Sequence, residues 1–325
     1  MTLVVKTDGL LAVEPEQMSY LAGLDVEFVE KECLTEEALI EACAHAVAIL
    51  ALREPFTERV IKELKKCRVI SRFGVGLDSI DVPAATKAGI RVTNVPDSNI
   101  DEVSTHALAI ILGLLRKLKT FDRAVRAGRW DSLADGAGIR RLNQLTLGII
   151  GFGRVGREVA RKAKPFGLSI AAYDPYLTQE LIPTHGVTPM ALEELIQCAD
   201  VLSLHIPLTP KTANLMSAVR IARMKPGSYL VNVSRGGLVD EDALCAALKS
   251  GHLAGAGIDT VAQEPMPANH CLREMQEVFL SPHAAHYSKS SYAEVRSKAF
   301  ADVARVLRGE EPIYPVNNLA TTPTT

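Results

Sequence analysis

The sequence predicts an α/β protein made of two parallel-sheet halves, Rossmann-like and flavodoxin-like in type. Three observations lead there. Short apolar strands alternate with segments of helical period along the chain, the pattern of parallel βα units. Gly151-Phe152-Gly153-Arg154-Val155-Gly156 follows an apolar strand and opens a helix. The chain has 325 residues, 47% of them hydrophobic, which is enough for two buried cores.

In the first hundred residues the apolar runs at 3–6, 26–29, 46–50, 69–71 and 91–93 read as strands. Helical patterns fall between them at 16–21, 36–43, 57–65 and 82–88. Residues 101–120 carry the longest helical pattern, with an acidic start and an apolar face through Val103, Ala107, Ile110, Ile111 and Leu114. It continues in broken form to Gly128 and reads as a connector between the halves. Trp130, the only tryptophan, is expected to pack.

In the second half, strands are expected at 147–150, 169–173, 201–204, 229–233, 254–258 and 278–280. Helices are expected after Gly153 and at 191–197, 243–249 and 292–307, the third capped by Asp240 and stopped by Gly251. The tail after Asn317 is Thr-rich and expected to fray.

Each glycine of the 151–156 motif has a physical task. Gly151 permits the sharp strand-to-helix turn, and Gly153 lets a pyrophosphate approach the backbone. Gly156 lets the helix lie close on the sheet, whose N-terminal amides then face the phosphate. Phe152, Arg154 and Val155 complete the loop, with Arg154 pointing to solvent or to the pyrophosphate. The next strand ends at Asp174, 18 residues beyond Gly156. An acid there accepts from a ribose 2′-hydroxyl and repels a 2′-phosphate, so NAD is expected over NADP.

Net charge is −2, with a pI near 6.5, so no nucleic-acid or membrane-surface partner is expected. Cys33, Cys43, Cys67, Cys198, Cys245 and Cys271 show no C-x-x-C pairing. They are expected as buried thiols of a reducing compartment, with neither a disulfide framework nor a metal site. Met1 leads straight into a strand, and no apolar run reaches 18 residues, so a soluble cytoplasmic protein is expected.

Every strand of the second half ends on a polar residue or a glycine turn: Gly151, Asp174, His205, Ser234-Arg235, Asp259 and His283. Such ends share one sheet edge, where ligands of open α/β sheets bind. Arg235 is permanently charged and can grip a carboxylate through two N–H groups. His283 can exchange a proton near neutral pH. Glu264 sits on the loop between their strands and can orient the histidine. Hydride transfer at C2 of a 2-hydroxy acid needs those three services. Simpler roles stay open at this point: Arg235 as a phosphate binder, Glu264 as a surface acid, His283 as a helix cap. In the first half, Phe73-Gly74-Val75-Gly76 follows a strand and can aim amides at an anion, or can be a plain tight turn. His45, His185, His252 and His270 are read as structural or surface residues.

Almost the whole chain resembles the D-2-hydroxyacid dehydrogenase family, through GFGRVG, LHIPLTPKT, NVSRGGLVDEDAL, GAGIDTVAQEP and SPHAAHYS. The resemblance implies an NAD-dependent dehydrogenase of phosphoglycerate, glyoxylate, hydroxypyruvate or another 2-keto acid. It implies His283 as acid/base, Glu264 as its partner and Arg235 as the group orienting carboxylate and carbonyl. Gly74, Val75 and Gly76 fall on the loop holding the substrate carboxylate, with Phe73 and His286 on the substrate side. Asp259 falls on the acid beside the nicotinamide. His106, His205, Pro207, Thr212, Val233, Ser234 and Ala285 join the 151–156 loop and Asp174 as cofactor positions. The resemblance also implies a discontinuous substrate domain (1–100 and 288–325), an NAD-binding domain (101–287) and a homodimer. Segments 72–76, 94–97 and 283–288 are similar to the C-terminal-binding-protein-like subgroup, although His286 stands where that group commonly has Trp. An NAD(H)-sensing interaction protein is therefore the alternative reading.

Overall fold

The structure is a computed structural model of the chain and describes residues 1–176 and 185–319. The end of the Thr-rich tail, from residue 320, lies outside the described residues. The chain divides into two compact units, residues 1–99 with 288–325, and residues 100–287.

The first unit is a five-stranded parallel sheet ordered β2-β1-β3-β4-β5. Its strands are β1 (Thr2–Lys6), β2 (Val26–Glu30), β3 (Ala48–Ala51), β4 (Val69–Arg72) and β5 (Arg91–Thr93). Helices α1 (Pro15–Ser19), α2 (Glu36–Cys43), α3 (Glu58–Glu63) and α4 (Val82–Lys87) connect them. Side chains alternate across the sheet, as a two-residue period requires. Val5 and Ile49 enter one apolar core, Val4 and Leu50 the other. That second core is completed by Val295, Ala299, Phe300 and Val303 of the last helix, α12 (Lys289–Leu307). Thus the final segment of the chain covers one face of the first sheet.

The second unit opens with α5 (Ile100–Leu115), α6 (Leu118–Arg126) and α7 (Ser132–Asp135). Its seven-stranded parallel sheet is ordered β12-β11-β10-β9-β6-β7-β8. The strands are β6 (Thr146–Ile150), β7 (Ser169–Tyr173), β8 (Thr188–Pro189), β9 (Val201–Leu204), β10 (Ser228–Asn232), β11 (Leu253–Ile258) and β12 (Val278–Leu280). Helices α8 (Arg154–Ala163), α9 (Leu192–Cys198), α10 (Ala218–Arg223) and α11 (Glu241–Lys249) pack on its faces. One core joins α5 and α8 to Leu147, Ile149 and Val231; the other joins α9, α10 and α11 to Ile150, Leu202 and Leu230.

Three expectations are corrected, and one strand is added. The helix expected over 101–120 is two helices, because Lys117 takes a left-handed conformation (φ 50°) where the apolar period gives way to a basic stretch. Trp130 does not pack within the chain; it is 89% exposed. The two-residue strand β8 was not foreseen, being too short for any periodicity. Cys245 and Cys271 form a disulfide with Cα atoms 6.3 Å apart, where free thiols were expected. The two are 26 residues apart, and the packing of the short 3-10 turn at Cys271–Glu274 beside α11 brings them together. Cys33, Cys43 and Cys67 are buried free thiols, and burial pushes the Cys67 thiol up to about 12. Among the described residues, no helix is long and apolar enough to cross a membrane, and no cluster of His, Cys, Asp or Glu is arranged to hold a metal ion.

Candidate active site

In the second sheet, strand order reverses between β6 and β9, which opens a crevice beyond their carboxyl ends. Gly151 ends β6 at φ 93°, and a Cβ there would lie 2.5 Å from the His205 carbonyl oxygen at the end of β9. A Cβ on Gly156 would meet the Gly151 carbonyl at 2.1 Å, so α8 rests directly on the turn. A Cβ on Gly153 would meet nothing within 4 Å, and Gly153 is the N-cap of α8 without a side-chain cap. Open space before helix-start amides, Arg154 and Val155 among them, fits a pyrophosphate.

Asp174 sits at the end of β7. Its Oδ2 accepts from Phe152 N–H at 2.8 Å and its Oδ1 from Tyr176 N–H at 2.8 Å. Each oxygen keeps a second lone pair, which suits a ribose diol. These residues fit a dinucleotide. The Phe152 ring, by contrast, is fully buried and edge-on to His185, so only its backbone can face the crevice. His205 Nε2 lies 2.8 Å from Ser203 Oγ, and its Nδ1 is buried with no partner among the described residues. Burial lowers the His205 pKa to about 4, which leaves the ring neutral at pH 7. The following turn is tied by Thr212, whose Oγ1 donates to the Pro207 carbonyl at 2.7 Å.

The ends of β10, β11 and β12 lie side by side. At β10, Asn232 Nδ2 donates to the Arg235 carbonyl (2.8 Å), and its Oδ1 accepts from Ser234 N–H (3.0 Å). Ser234 Oγ donates to the Leu204 carbonyl (2.7 Å), and Val233 is buried in the core. Together these bonds fix the turn that presents Arg235, whose Nη1 donates to the Ser234 carbonyl (2.7 Å).

Asp259, just beyond β11, is 3% exposed and organises the His283 loop. Three successive amides point at it. His283 N–H donates to its carbonyl (2.8 Å), Ala284 N–H to Oδ1 (2.9 Å) and Ala285 N–H to Oδ2 (3.1 Å). Ser281 Oγ also donates to Oδ1 (2.6 Å) and lies 2.9 Å from His106 Nε2. This holds His283 at φ 52°, a conformation that costs a non-glycine residue on the order of 1 kcal/mol.

Glu264 Oε2 lies 2.8 Å from His283 Nδ1. Both side chains are about two-fifths exposed, at 40% and 39%. The His286 ring stands perpendicular to the His283 ring, 5.7 Å away. Ionised Glu264 is an acceptor only, so the His283 proton sits on Nδ1 and Nε2 is left for proton exchange. Arg235 follows β10 and His283 follows β12, with β11 between them, which puts the two strand ends roughly 10 Å apart.

Phe73, Gly74, Val75 and Gly76 belong to the first unit. Phe73 is buried and packs on Phe300, so it is a core residue of that unit. Gly74 has φ 125°, and a Cβ there would meet Arg72 Nη1 at 2.1 Å. Asn94 Nδ2 donates to the Val75 carbonyl at 2.7 Å, while the Val75 side chain is exposed.

Sequence reasoning missed Asn232, Gly236 and Ser281, whose bonds and packing hold the turns that carry Arg235 and His283. A Cβ on Gly236 would lie 1.9 Å from Val261 C, so the turn after Arg235 rests on the 261–262 peptide that leads to Glu264. The signal available was position alone, within three residues of Arg235 or His283.

Residues 108–285 match the family described as D-isomer specific 2-hydroxyacid dehydrogenase, NAD binding domain. The chain belongs to this family. It is 36% identical over 324 residues to a D-3-phosphoglycerate dehydrogenase of Synechocystis sp., a match covering 99% of this chain and 57% of that protein. It is also 36% identical to a glyoxylate reductase of Korarchaeum cryptofilum, over 87% of this chain and 86% of that protein. The fold superposes on a D-lactate dehydrogenase from Aquifex aeolicus, solved with NAD and lactic acid, with a TM-score of 0.87 and 28% identity. That match covers 98% of this chain and 100% of the other. The chain thus spans a little over half of the phosphoglycerate dehydrogenase and most of the glyoxylate reductase.

Proposed function

We propose that the chain is an NAD-dependent D-2-hydroxyacid dehydrogenase, acting at C2 of a small 2-keto or 2-hydroxy acid. The observation that carries this reading is the Glu264–His283 pair at 2.8 Å, on the sheet edge that also presents Arg235. NAD(H), when bound, supplies or accepts the hydride. Arg235 grips the substrate carboxylate and polarises the C2 oxygen. In the reducing direction protonated His283 delivers its Nε2 proton to that oxygen. In the oxidising direction neutral His283 removes it, and Glu264 stabilises the imidazolium that forms. A general acid/base of this kind supplies about 10²–10⁴-fold in rate.

On this reading the second unit, taken as 101–287, is the cofactor domain, and the first, taken as 1–100 with 288–325, is the substrate domain. The 74–76 turn holds the substrate carboxylate, and Phe73 supports it from the core. His106, His205, Pro207, Thr212, Val233, Ser234, Asp259 and Ala285 border the cofactor. The protein is cytoplasmic and a homodimer. Leu118, Val125, Trp130 and Leu133, all exposed on the segment after α5, support a second copy as their cover. The mass in solution should then be twice 35.1 kDa by light scattering. The relatives' names favour a 2-hydroxy acid of the phosphoglycerate type or a keto acid of the glyoxylate type. They lend no support to the C-terminal-binding-protein-like subgroup, where His286 already departs from the expected Trp.

The test is NADH oxidation against glyoxylate, hydroxypyruvate, pyruvate, branched, aromatic and phosphorylated 2-keto acids, with NADPH in parallel. Turnover of one class with NADH, and little with NADPH, supports the reading and the role of Asp174. No turnover on any member, with NADH bound tightly, turns the assignment toward an NAD(H)-sensing protein.

A further inference from the structure

Glu264 is carried on an irregular stretch, residues 262–270, of which 262–265 are exposed. The question is what holds so open a loop in place for a 2.8 Å contact. The answer lies on α11. Glu241, its first residue, is only 17% exposed, and its carboxylate reaches both ends of the loop. Oε1 accepts from Ala262 N–H at 2.7 Å, two residues before Glu264. Oε2 lies 3.0 Å from His270 Nε2, six residues after it. His270 Nδ1 accepts from Leu272 N–H, so its ring proton is on Nε2 and is donated to Glu241. One turn along the same face of α11, Cys245 holds Cys271 through the disulfide. Arg273 ties the loop at the surface, donating to the carbonyls of Met266 (2.7 Å) and Pro267 (2.8 Å).

We propose that Glu241, with His270, is a positioning residue for the hydride-transfer chemistry. It fixes the Glu264 loop from α11 and so fixes the tautomer and orientation of His283. The inference rests on the function proposed above for its kinetic arm alone. A carboxylate at the start of α11 could also serve only the helix, through the favourable field at its N-terminus. That simpler role requires neither the Ala262 bond nor the His270 bond. Besides Glu264, the ring facing His283 is that of His286.

The test compares wild type, Glu241→Ala and Glu264→Gln, and the double variant, in the whole 325-residue chain. The first readout is the ¹⁵N spectrum of the neutral His283 ring, assigned by its loss in His283→Gln. Wild type should show the Nδ1–H form. Glu241→Ala should show a tautomer mixture approaching that of Glu264→Gln, with NADH affinity within about twofold of wild type. The second readout is turnover: kcat falls about tenfold in Glu241→Ala with KM little changed. The double variant is then no slower than Glu264→Gln, because both act through one contact. An unchanged Nδ1–H signal in folded Glu241→Ala overturns the inference, and so does a loss that adds in full to that of Glu264→Gln. If Glu241→Ala does not fold, Glu241→Gln takes its place. It keeps an acceptor for Ala262 N–H and sets an N–H₂ against His270, and the same tautomer shift is required of it. Wild type without turnover on any keto acid defeats the proposed function and leaves the ring spectrum to decide this inference.

Discussion

The carboxyl ends of the two parallel sheets carry charged residues in equal prominence and use them in opposite ways. In the first unit Lys6, Asp8 and Glu54 are buried, and each is held by groups of its own unit. Lys6, 2% exposed at the end of β1, donates to the Asp8 carbonyl (2.6 Å) and pairs with Glu30 (3.0 Å). Glu54, also buried, accepts from the amides of Leu52 and Arg53 and from Thr7 Oγ1. In the second unit the pair at the strand ends, Glu264 and His283, stays about two-fifths exposed, while the buried Asp259 takes the structural work. A closed set of buried charges cannot exchange protons with a ligand, and an open pair braced by a closed one can. On the function proposed above, the same position on the same kind of sheet serves stability in one unit and chemistry in the other.

The largest effect that could break this contrast is at His283. His283→Ala should lower kcat by about 10²–10⁴-fold with NADH affinity nearly unchanged, read by steady-state kinetics and fluorescence titration. Turnover near wild type would remove the open edge from the mechanism. Next, Lys6→Met leaves Asp8 buried without its cation. It should cost about 3 kcal/mol in urea unfolding and leave NADH affinity within twofold. A variant of normal stability would mean that the first edge is not a closed network. Gly151→Ala forces a side chain at φ 93° onto the His205 carbonyl. It should weaken NADH by about 1–3 kcal/mol, measured by calorimetry, and a wild-type Kd would sink the crevice assignment.

The smallest effect sharpens the comparison, because one member of the second edge is closed as well. Burial holds His205 at about 4, below its ordinary value of 6.5, so protonation favours the unfolded chain. Its contribution is complete above pH 6.5 and is lost as pH falls toward 4. Unfolding free energy should therefore drop by about 1–2 kcal/mol between pH 7 and 5, and His205→Asn should flatten that part of the profile. Identical pH profiles for the two proteins would show that His205 is hydrated in solution.

The sequence by itself determined what local pattern can encode. Periods of two and 3.6 residues named the strands and helices, and the apolar runs named the parallel sheets. The spacing from Gly156 to Asp174 marked the dinucleotide turn, where Gly151 is held at a φ that glycine tolerates and meets the end of β9. The residue types at the strand ends and on the loop between them showed which groups could grip a carboxylate, Arg235, orient a base, Glu264, and exchange a proton, His283. Tertiary structure decided whatever depends on long separations. No spacing announces that Glu264 closes on His283, that Asp259 gathers three amides of a loop more than twenty residues away, or that Glu241 reaches both ends of residues 262–270. Nor does it announce the Cys245–Cys271 disulfide, the buried Phe152 ring or the exposure of Trp130. Those facts follow from which elements the sheet order makes neighbours and which way each side chain then faces. Contacts across long loops are chosen by the packing of the whole unit, and pattern along the chain records only which contacts are chemically possible.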